Sequence, residues 1–239
     1  MRFLISSLLL SGAHAAVDAP GDCVFIGMNM DTPDDFAVLL LDSMASGETL
    51  FVTENGVLSD GTTLRGTGEG TKYYTASGTV AAGTVLTLAD FAGESFGLSA
   101  SGDQLLAYTS TAATSAQTTT SQKTFVCALD LKGGWITSGT PESTESYLPT
   151  GLTEGTTALA MTSHVDNAFY SGTTRSGTAS VLAAAINTAS SWTTSNSAPV
   201  TFLTASDFSV TLPVTATVNS LSPTTHVHPW VFRSIGFLI

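Results

Sequence analysis

The chain has 239 residues, of which 43% are hydrophobic, so it can bury a core, which argues against intrinsic disorder. Its 39 Thr, 29 Ser and 22 Gly suit pleated sheets and turns and argue against an all-α fold. The formal charge of -12 would repel phosphate backbones and anionic lipid surfaces, which argues against nucleic acid as a partner.

Residues 1–15 have the pattern of a cleavable signal peptide. A basic residue precedes the apolar stretch Phe3–Leu10, and Ala13 and Ala15 supply the small residues that a signal peptidase recognises. We expect cleavage after Ala15, a single domain over residues 16–239, and a secreted, extracellular or cell-surface location. The apolar stretch is shorter than the about 20 residues that cross a bilayer, so no membrane span is expected.

Two cysteines, Cys23 and Cys127, each interrupt an apolar, strand-like run after the predicted cleavage site. In an oxidising compartment these thiols are expected to form a disulfide. The bond would close a loop of about 104 residues, for which chain entropy predicts a stabilisation of about 4 to 5 kcal/mol. Two buried free thiols and a metal site are the alternatives.

The first elements predicted along the chain are an apolar strand at Cys23–Ile26 and an acidic turn over 29–35. The next segment, Phe36–Leu41, fits two structures. Thr32 and Pro33, with two Asp behind them, imitate a helix start, whereas the short apolar run fits a strand buried on both faces.

Several further strands are predicted from apolar runs that follow turn residues. They lie after the turn at Ser46-Gly47, within Val80–Leu88, and at Lys72–Ala76, Gln104–Tyr108 and Thr124–Leu129. The Ser/Thr-rich stretch Thr109–Gln122 has almost no apolar residue and is predicted to be a hairpin tip.

One helix is predicted near 179–187, capped by Thr178, because Leu182 and Ile186 are four residues apart on one face. Strands are predicted after it at Val200–Leu203 and Phe208–Val218. The apolar C-terminus, Trp230–Ile239, is interpreted as a last strand or as a segment that contacts a partner.

The pattern of several runs is shared with other exported proteins. These runs are Gly21–Gly27 with the acidic turn and Phe36–Leu41, Gly47–Gly56, Ser101–Tyr108, Leu148–Leu152, and the helix region through Asn187 to Thr194. They resemble an uncharacterised family of exported bacterial and algal β-rich domains that is distantly similar to the lamin-tail immunoglobulin-like domain.

The resemblance implies an all-β fold, an antiparallel β-sandwich, to which the residue pattern adds the one short helix near 179–187. It carries over no catalytic residues. It favours the strand over the helix at Phe36–Leu41. The chain departs from the family at its Cys pair, which replaces plain apolar positions. It also has Val57 after Asn55-Gly56, where the family often has Trp, so no role of that Trp is carried over.

Asp31, Asp34 and Asp35 form the acidic turn, with Asp22 and Glu54 as further neighbours. Calcium takes six to eight oxygen ligands at about 2.3 to 2.6 Å, and carboxylates supply them. Calcium is therefore the one cofactor considered, at Asp31, Asp34 and Asp35. The spacing differs from an EF-hand loop, and a solvated turn whose carboxylates cap backbone N–H groups is the alternative.

A hydrolytic site would draw its acid and base from Asp31, Asp35, Glu54 or His164. His164 and Asp166 are two apart, which on a strand places both on one face, and a serine precedes them. The chain lacks the G-x-S-x-G pattern of a nucleophile elbow, and with 29 Ser a chance neighbour of His164 is expected.

Two weaker candidates complete the set. His226 and His228 could hold zinc or copper, although a surface pair is the alternative. Aromatic rings could stack on sugars, although core packing is the default. These rings are Trp135, Trp192, Trp230, Tyr73, Tyr74 and Tyr147. Because Tyr73 and Tyr74 are adjacent, one of them is predicted to face outward from a strand.

The sequence favours a secreted, non-enzymatic module with a structural, adhesion or carbohydrate-contacting role at the cell surface or in the extracellular matrix. Its expected partner is a matrix or cell-surface polymer or protein, with self-association as a further option. A secreted hydrolase and a calcium-binding exported protein are the alternatives.

Overall fold

Strands dominate the computed structural model, which describes residues 16–66, 69–110 and 123–213. The strands are β1 (Cys23–Asn29), β2 (Asp35–Leu40), β3 (Thr49–Thr53), β4 (Thr71–Thr75), β5 (Val85–Thr87), β6 (Ala92–Gly93), β7 (Gln104–Ser110), β8 (Lys123–Asp130), β9 (Ala158–Ala160), β10 (Asn167–Tyr170), β11 (Ser176–Thr178), β12 (Trp192–Ser195) and β13 (Ser209–Thr211). The described residues also contain one α-helix, α1 (Ala179–Ile186), and short 3₁₀ turns at Leu88–Asp90, Ala189–Ser191 and Ala205–Asp207.

A five-stranded sheet has the order β12-β10-β1-β2-β5, and each neighbouring pair is antiparallel. Strand β1 is buried along its whole length, as is β2 apart from Asp35, which explains their unbroken apolar sequences. The strand predicted at Phe36–Leu41 is confirmed as β2, which begins and ends one residue earlier.

A six-stranded sheet has the order β6-β4-β3-β7-β8-β9, and only its β8–β9 pair is parallel. Strands β11 and β13 form a separate parallel pair. The start of β7 and the ends of β3 and β8 lie at the same end of the six-stranded sheet, because these strands pair antiparallel in register.

The main core lies between the five-stranded and six-stranded sheets, since one hydrophobic cluster contains residues of β1 and β2 together with residues of β3, β7 and β8. A second cluster covers the other face of the six-stranded sheet and includes Phe51, Tyr108 and Phe125 with loop residues such as Leu64 and Leu152. The all-β class with one helix is confirmed, and the packing of the two sheets on a shared core is sandwich-like.

Cys23 of β1 and Cys127 of β8 form a disulfide that links the two main sheets. Their Cα atoms are 5.9 Å apart, and both residues are fully buried. The predicted pairing is confirmed. A buried disulfide indicates folding in an oxidising compartment.

Helix α1 confirms the helix predicted near 179–187. Thr178 caps it, because the Thr178 hydroxyl accepts a hydrogen bond from the backbone N–H of Val181 at 3.4 Å. Leu182 and Ile186 are fully buried in the main core, as their spacing predicts. None of the helices in the described residues is long and apolar enough to cross a bilayer.

The strand predicted at Val200–Leu203 is wrong, because these residues are irregular. The Val200 N–H donates to Asn29 Oδ1 at 2.8 Å, and Asn29 Nδ2 donates to the Val200 carbonyl at 2.9 Å. The amide side chain therefore satisfies the backbone groups that a neighbouring strand would otherwise pair. The ring of Phe202 lies over Gly27, where any Cβ would overlap it.

The strand predicted at Phe208–Val218 is present only as β13 within the described residues. The predicted signal peptide, residues 111–122 of the hairpin tip, His226 and His228, and the segment Trp230–Ile239 lie outside the described residues.

Candidate functional site

An acidic cleft lies where β3 ends and β4 begins. Its volume is about 420 Å³, and it is lined by Glu54, Glu69, Gly70, Glu94, Ser95, Phe96 and Gly97. Glu54 directly follows β3, and Gly70 directly precedes β4, its antiparallel neighbour. The ladder thus gathers residues from three segments of the chain at one end of the six-stranded sheet.

Glu54 is the most buried carboxylate of the cleft, with 4% of its surface exposed. Its Oε1 accepts a hydrogen bond from the Gly70 N–H at 2.8 Å, and its Oε2 accepts one from the Gly97 N–H at 3.1 Å. Burial raises the pKa of Glu54 to about 7, against the opposing effect of these N–H groups, and the charges of Glu69 and Asp34 raise it further. Glu54 can therefore hold or release a proton near neutral pH.

Glu69 lies four residues after Arg65 and forms an ion pair with it, at 3.3 Å between Glu69 Oε1 and the guanidinium. Arg65 also donates from Nε to the carbonyl of Pro141 at 3.0 Å. This ion pair positions a charged carboxylate in the same cleft as Glu54. The two carboxylates thus differ in environment, since Glu69 has a cationic partner and Glu54 has backbone N–H partners.

A second buried acid, Asp103, directly precedes β7. Its Oδ2 accepts from the Ser99 N–H and its Oδ1 from the Gln104 N–H, both at 2.9 Å. Burial raises the pKa of Asp103 to about 8, and the nearby charge of Glu54 acts in the same direction. Glu54 and Asp103 therefore bind their protons more tightly than exposed carboxylates do.

The structure does not gather Asp31, Asp34 and Asp35 around one point. Asp31 Oδ2 accepts from Asn167 Nδ2 at 2.7 Å, and Asp34 Oδ2 accepts from the Leu98 N–H at 2.8 Å. Asp35 Oδ1 accepts from the N–H of its neighbour Phe36 at 2.8 Å. Within residues 16–66, 69–110 and 123–213, no group of His, Cys, Asp or Glu side chains is arranged to hold a metal ion. Calcium binding stays a prediction.

The side chains of His164 and Asp166 are in contact, but the prediction that both lie on one face of a strand is wrong. They lie in an irregular loop before β10 and not on a strand, yet His164 Nε2 is 2.9 Å from Asp166 Oδ1. The His164 side chain is 41% exposed. The loop thus presents a partly exposed His–Asp pair on the surface.

The prediction that Tyr73 or Tyr74 faces outward needs correction, because neither residue is exposed and both are half-buried. The two rings do point to opposite faces, but Tyr73 packs against the second cluster and Tyr74 against the main core. Trp192 is buried and donates to the Ile186 carbonyl at 2.6 Å, while half-buried Trp135 donates to Glu154 Oε2 at 2.7 Å. Among the aromatic candidates in the described residues, Tyr73 and Trp135 are half-buried and pack against the second cluster.

Sequence reasoning singled out Glu54, interpreted Glu69 as part of a flexible loop, and missed Glu94, Asp103 and Asp130. Glu69 and Glu94 stand beside glycines in turn-like stretches, Asp103 directly precedes an apolar run, and Asp130 directly follows one, all of which are positions typical of ordinary solvated turns. Asp103 and Asp130 are buried, whereas Glu69 is half-buried and Glu94 is exposed, and none of these positions can be told from the local sequence. Gly70 directly follows Glu69, and any Cβ there would overlap the Ser95 carbonyl, so the close approach of these two segments requires glycine.

Comparison of the chain with protein-family models, curated proteins and solved structures finds no match. Its function is therefore inferred from the geometry of its own residues.

Proposed function

We propose that this chain is an exported, non-enzymatic domain with a structural, adhesion or carbohydrate-contacting role at the cell surface or in the extracellular matrix. The observation that carries the proposal is the buried disulfide between Cys23 and Cys127, which joins the two main sheets. Such bonds persist in oxidising compartments and are rare where thiols are kept reduced. The implied partner is a matrix or surface polymer or protein, with self-association as a second option.

The hydrogen bonds of the acidic side chains support a structural role. The carboxylates of Asp34, Asp35 and Glu54 accept from backbone N–H groups that are 64, 53 and 16 residues away in sequence. Each of these bonds fastens a loop to the end of a sheet. Carboxylates bound in this way contribute to the shape of the domain.

Contact with carbohydrate is assigned, within this proposal, to Tyr73 and Trp135. Both pack at the margin of the second cluster and are only partly buried. Aromatic rings offer a flat apolar surface to the C–H faces of sugars, and the Trp135 indole is held in place by its hydrogen bond to Glu154.

The test is the location and redox state of the chain in its native cells. We expect the mature protein, beginning after Ala15, in the wall or matrix fraction, with peptide mapping showing Cys23 linked to Cys127. A pull-down with insoluble cellulose and chitin then separates a sugar-contacting role from a purely structural one. An intracellular chain with both thiols free would overturn the proposal.

We also propose that the fold is a distant relative of the lamin-tail immunoglobulin-like domain. The test is a comparison of the strand order of the two main sheets with that of a lamin-tail domain. A shared strand order in both main sheets would support the relationship, and a different order would refute it.

A second candidate function, a secreted hydrolase, is favoured by the cleft that contains Glu54, Glu69 and Glu94. A buried acid with a pKa of about 7 beside an ion-paired carboxylate has the properties of a general acid and a base. Under this hypothesis Glu54→Gln abolishes hydrolysis of a matrix polysaccharide, whereas Glu142→Gln on the surface leaves it unchanged. Equal activity of both variants would remove this candidate.

The third option, a calcium-binding exported protein, rests on Asp31, Asp34 and Asp35. Calorimetric titration with calcium provides the measurement. Heat of binding that disappears in Asp34→Asn would support it, and no heat and no thermal shift would remove it.

A further inference from the structure

Two buried hydrogen-bond acceptors are neighbours at the same end of the six-stranded sheet. Gln104, the first residue of β7, is the register partner of Asp130, the last residue of β8. Residues directly opposite in an antiparallel pair project from the same face, with Cβ atoms about 4.5 to 5.5 Å apart. Both residues are fully buried. Their side chains therefore lie side by side, away from water.

The amide of Gln104 has one favourable orientation. Its Nε2 donates to the carbonyl oxygens of Glu54 and Ser143, so both amide hydrogens have acceptors. Turning the amide over would place Oε1 against these two carbonyl oxygens. In the orientation observed, Gln104 Oε1 is buried and has no hydrogen-bond donor among the described residues.

The carboxyl group of Asp130 is asymmetric. Its Oδ1 accepts from the backbone N–H groups of Lys132, Gly133 and Gly134, each at 3.0 Å. Its Oδ2 is buried and has no donor within the described part of the chain. A proton on this carboxyl group belongs on Oδ2, because Oδ1 already accepts three hydrogen bonds.

We propose that Asp130 is protonated in the native fold and that its Oδ2–H donates a hydrogen bond to Gln104 Oε1. A single proton then satisfies both buried acceptors, each of which would otherwise lose its hydration without compensation. The end of the six-stranded sheet is thus a proton-binding site, whether the chain is a structural module or an enzyme.

The charges around Asp130 act in the same direction. Burial raises its pKa, and the charge of Glu154, from the loop before β9, adds to the effect, while the three backbone N–H groups oppose it. Asp103 and Glu54, which lie near Gln104, are themselves carboxyl groups with raised pKa values, so neither supplies the positive charge that would lower the pKa of Asp130. The nearest cation on the same segment, Lys132, directs its Nζ to the Ser101 carbonyl at 2.7 Å.

A raised native pKa fixes the sign of the pH dependence. Between the ordinary Asp pKa of about 3.9 and the native value, the folded chain binds a proton that the unfolded chain has released. The contribution of Asp130 to stability is therefore complete in acid and is lost as the pH rises through its native pKa. From this group alone, the unfolding constant rises by up to about tenfold per pH unit in that range.

The direct test is carbon NMR of the Asp130 carboxyl group in the full mature chain, titrated across the acid and neutral range. We expect the chemical shift of a protonated carboxyl to persist well above the ordinary Asp range. Titration at about pH 3.9 would overturn the proposal and leave a buried water as the bridge between the two acceptors.

The variant Asp130→Asn gives a second, independent readout, because its Nδ2 can donate to Gln104 Oε1 at every pH. We expect its unfolding constant to rise less steeply with pH than that of the native chain. The difference between the two slopes should reach up to about tenfold per pH unit, which is the contribution of Asp130. Glu142→Gln, which removes one exposed surface carboxylate, is the control and should keep the native slope. An Asp130→Asn slope equal to that of the native chain would contradict the proposal.

Discussion

Removing the disulfide is expected to destabilise the fold strongly. Cys23 and Cys127 are 104 residues apart in sequence. Closing a loop of that length lowers the entropy of the unfolded chain enough to stabilise the fold by about 4.7 kcal/mol. For a domain of this size, 1 kcal/mol corresponds to about 2 to 4 °C in Tm, so Cys23→Ala/Cys127→Ala should lower Tm by about 10 to 20 °C.

The assay is urea unfolding, followed by tryptophan fluorescence, of the native chain, both single variants and the double variant. Because one bond is lost in every case, each single variant should lose nearly the whole effect and the double variant little more. The dependence of the unfolding free energy on urea should also increase, since an unbridged unfolded chain exposes more surface. Additive single effects, or a total loss below about 1 kcal/mol, would refute a bridge that acts through the unfolded state.

Two further predictions concern the buried acid Asp103 and the packing of α1. Asp103→Asn should flatten the decline in stability between pH 4 and pH 8. With a native Asp103 pKa of about 8, the folded chain loses up to about 1.4 kcal/mol of stability per pH unit across that range. Thermal melts at both pH values provide the measurement, and an unchanged difference between them would contradict the prediction. Leu182→Ala should lower the free energy of unfolding in urea by about 2 to 5 kcal/mol, because the Leu182 side chain is fully buried. Val181→Ala, at a position that is 49% exposed, should lower it by less than about 0.5 kcal/mol. Equal effects would show that α1 does not pack by the face that contains Leu182.

Local sequence patterns predicted most of the regular structure correctly. The apolar run Phe36–Leu41 lies in β2 up to Leu40, because the run is short and both faces of β2 are covered. The helix at Ala179–Ile186 has a capping hydroxyl at Thr178 and its apolar pair on one face. The same kind of reasoning failed at Val200–Leu203, because a side chain from β1 pairs with that segment's backbone, and no local pattern encodes a partner 171 residues away.

The pairing of the cysteines followed from their number and from the predicted export signal, and it needed no knowledge of the fold. The acidic end of the six-stranded sheet needed the tertiary structure. Asp103, Gln104 and Asp130 are common residue types at ordinary turn positions, and only the register of β7 with β8 makes Gln104 and Asp130 neighbours. Composition and periodicity determine which residues are buried in strands, whereas the protonation of a carboxyl group depends on what covers it, which long-range packing alone decides.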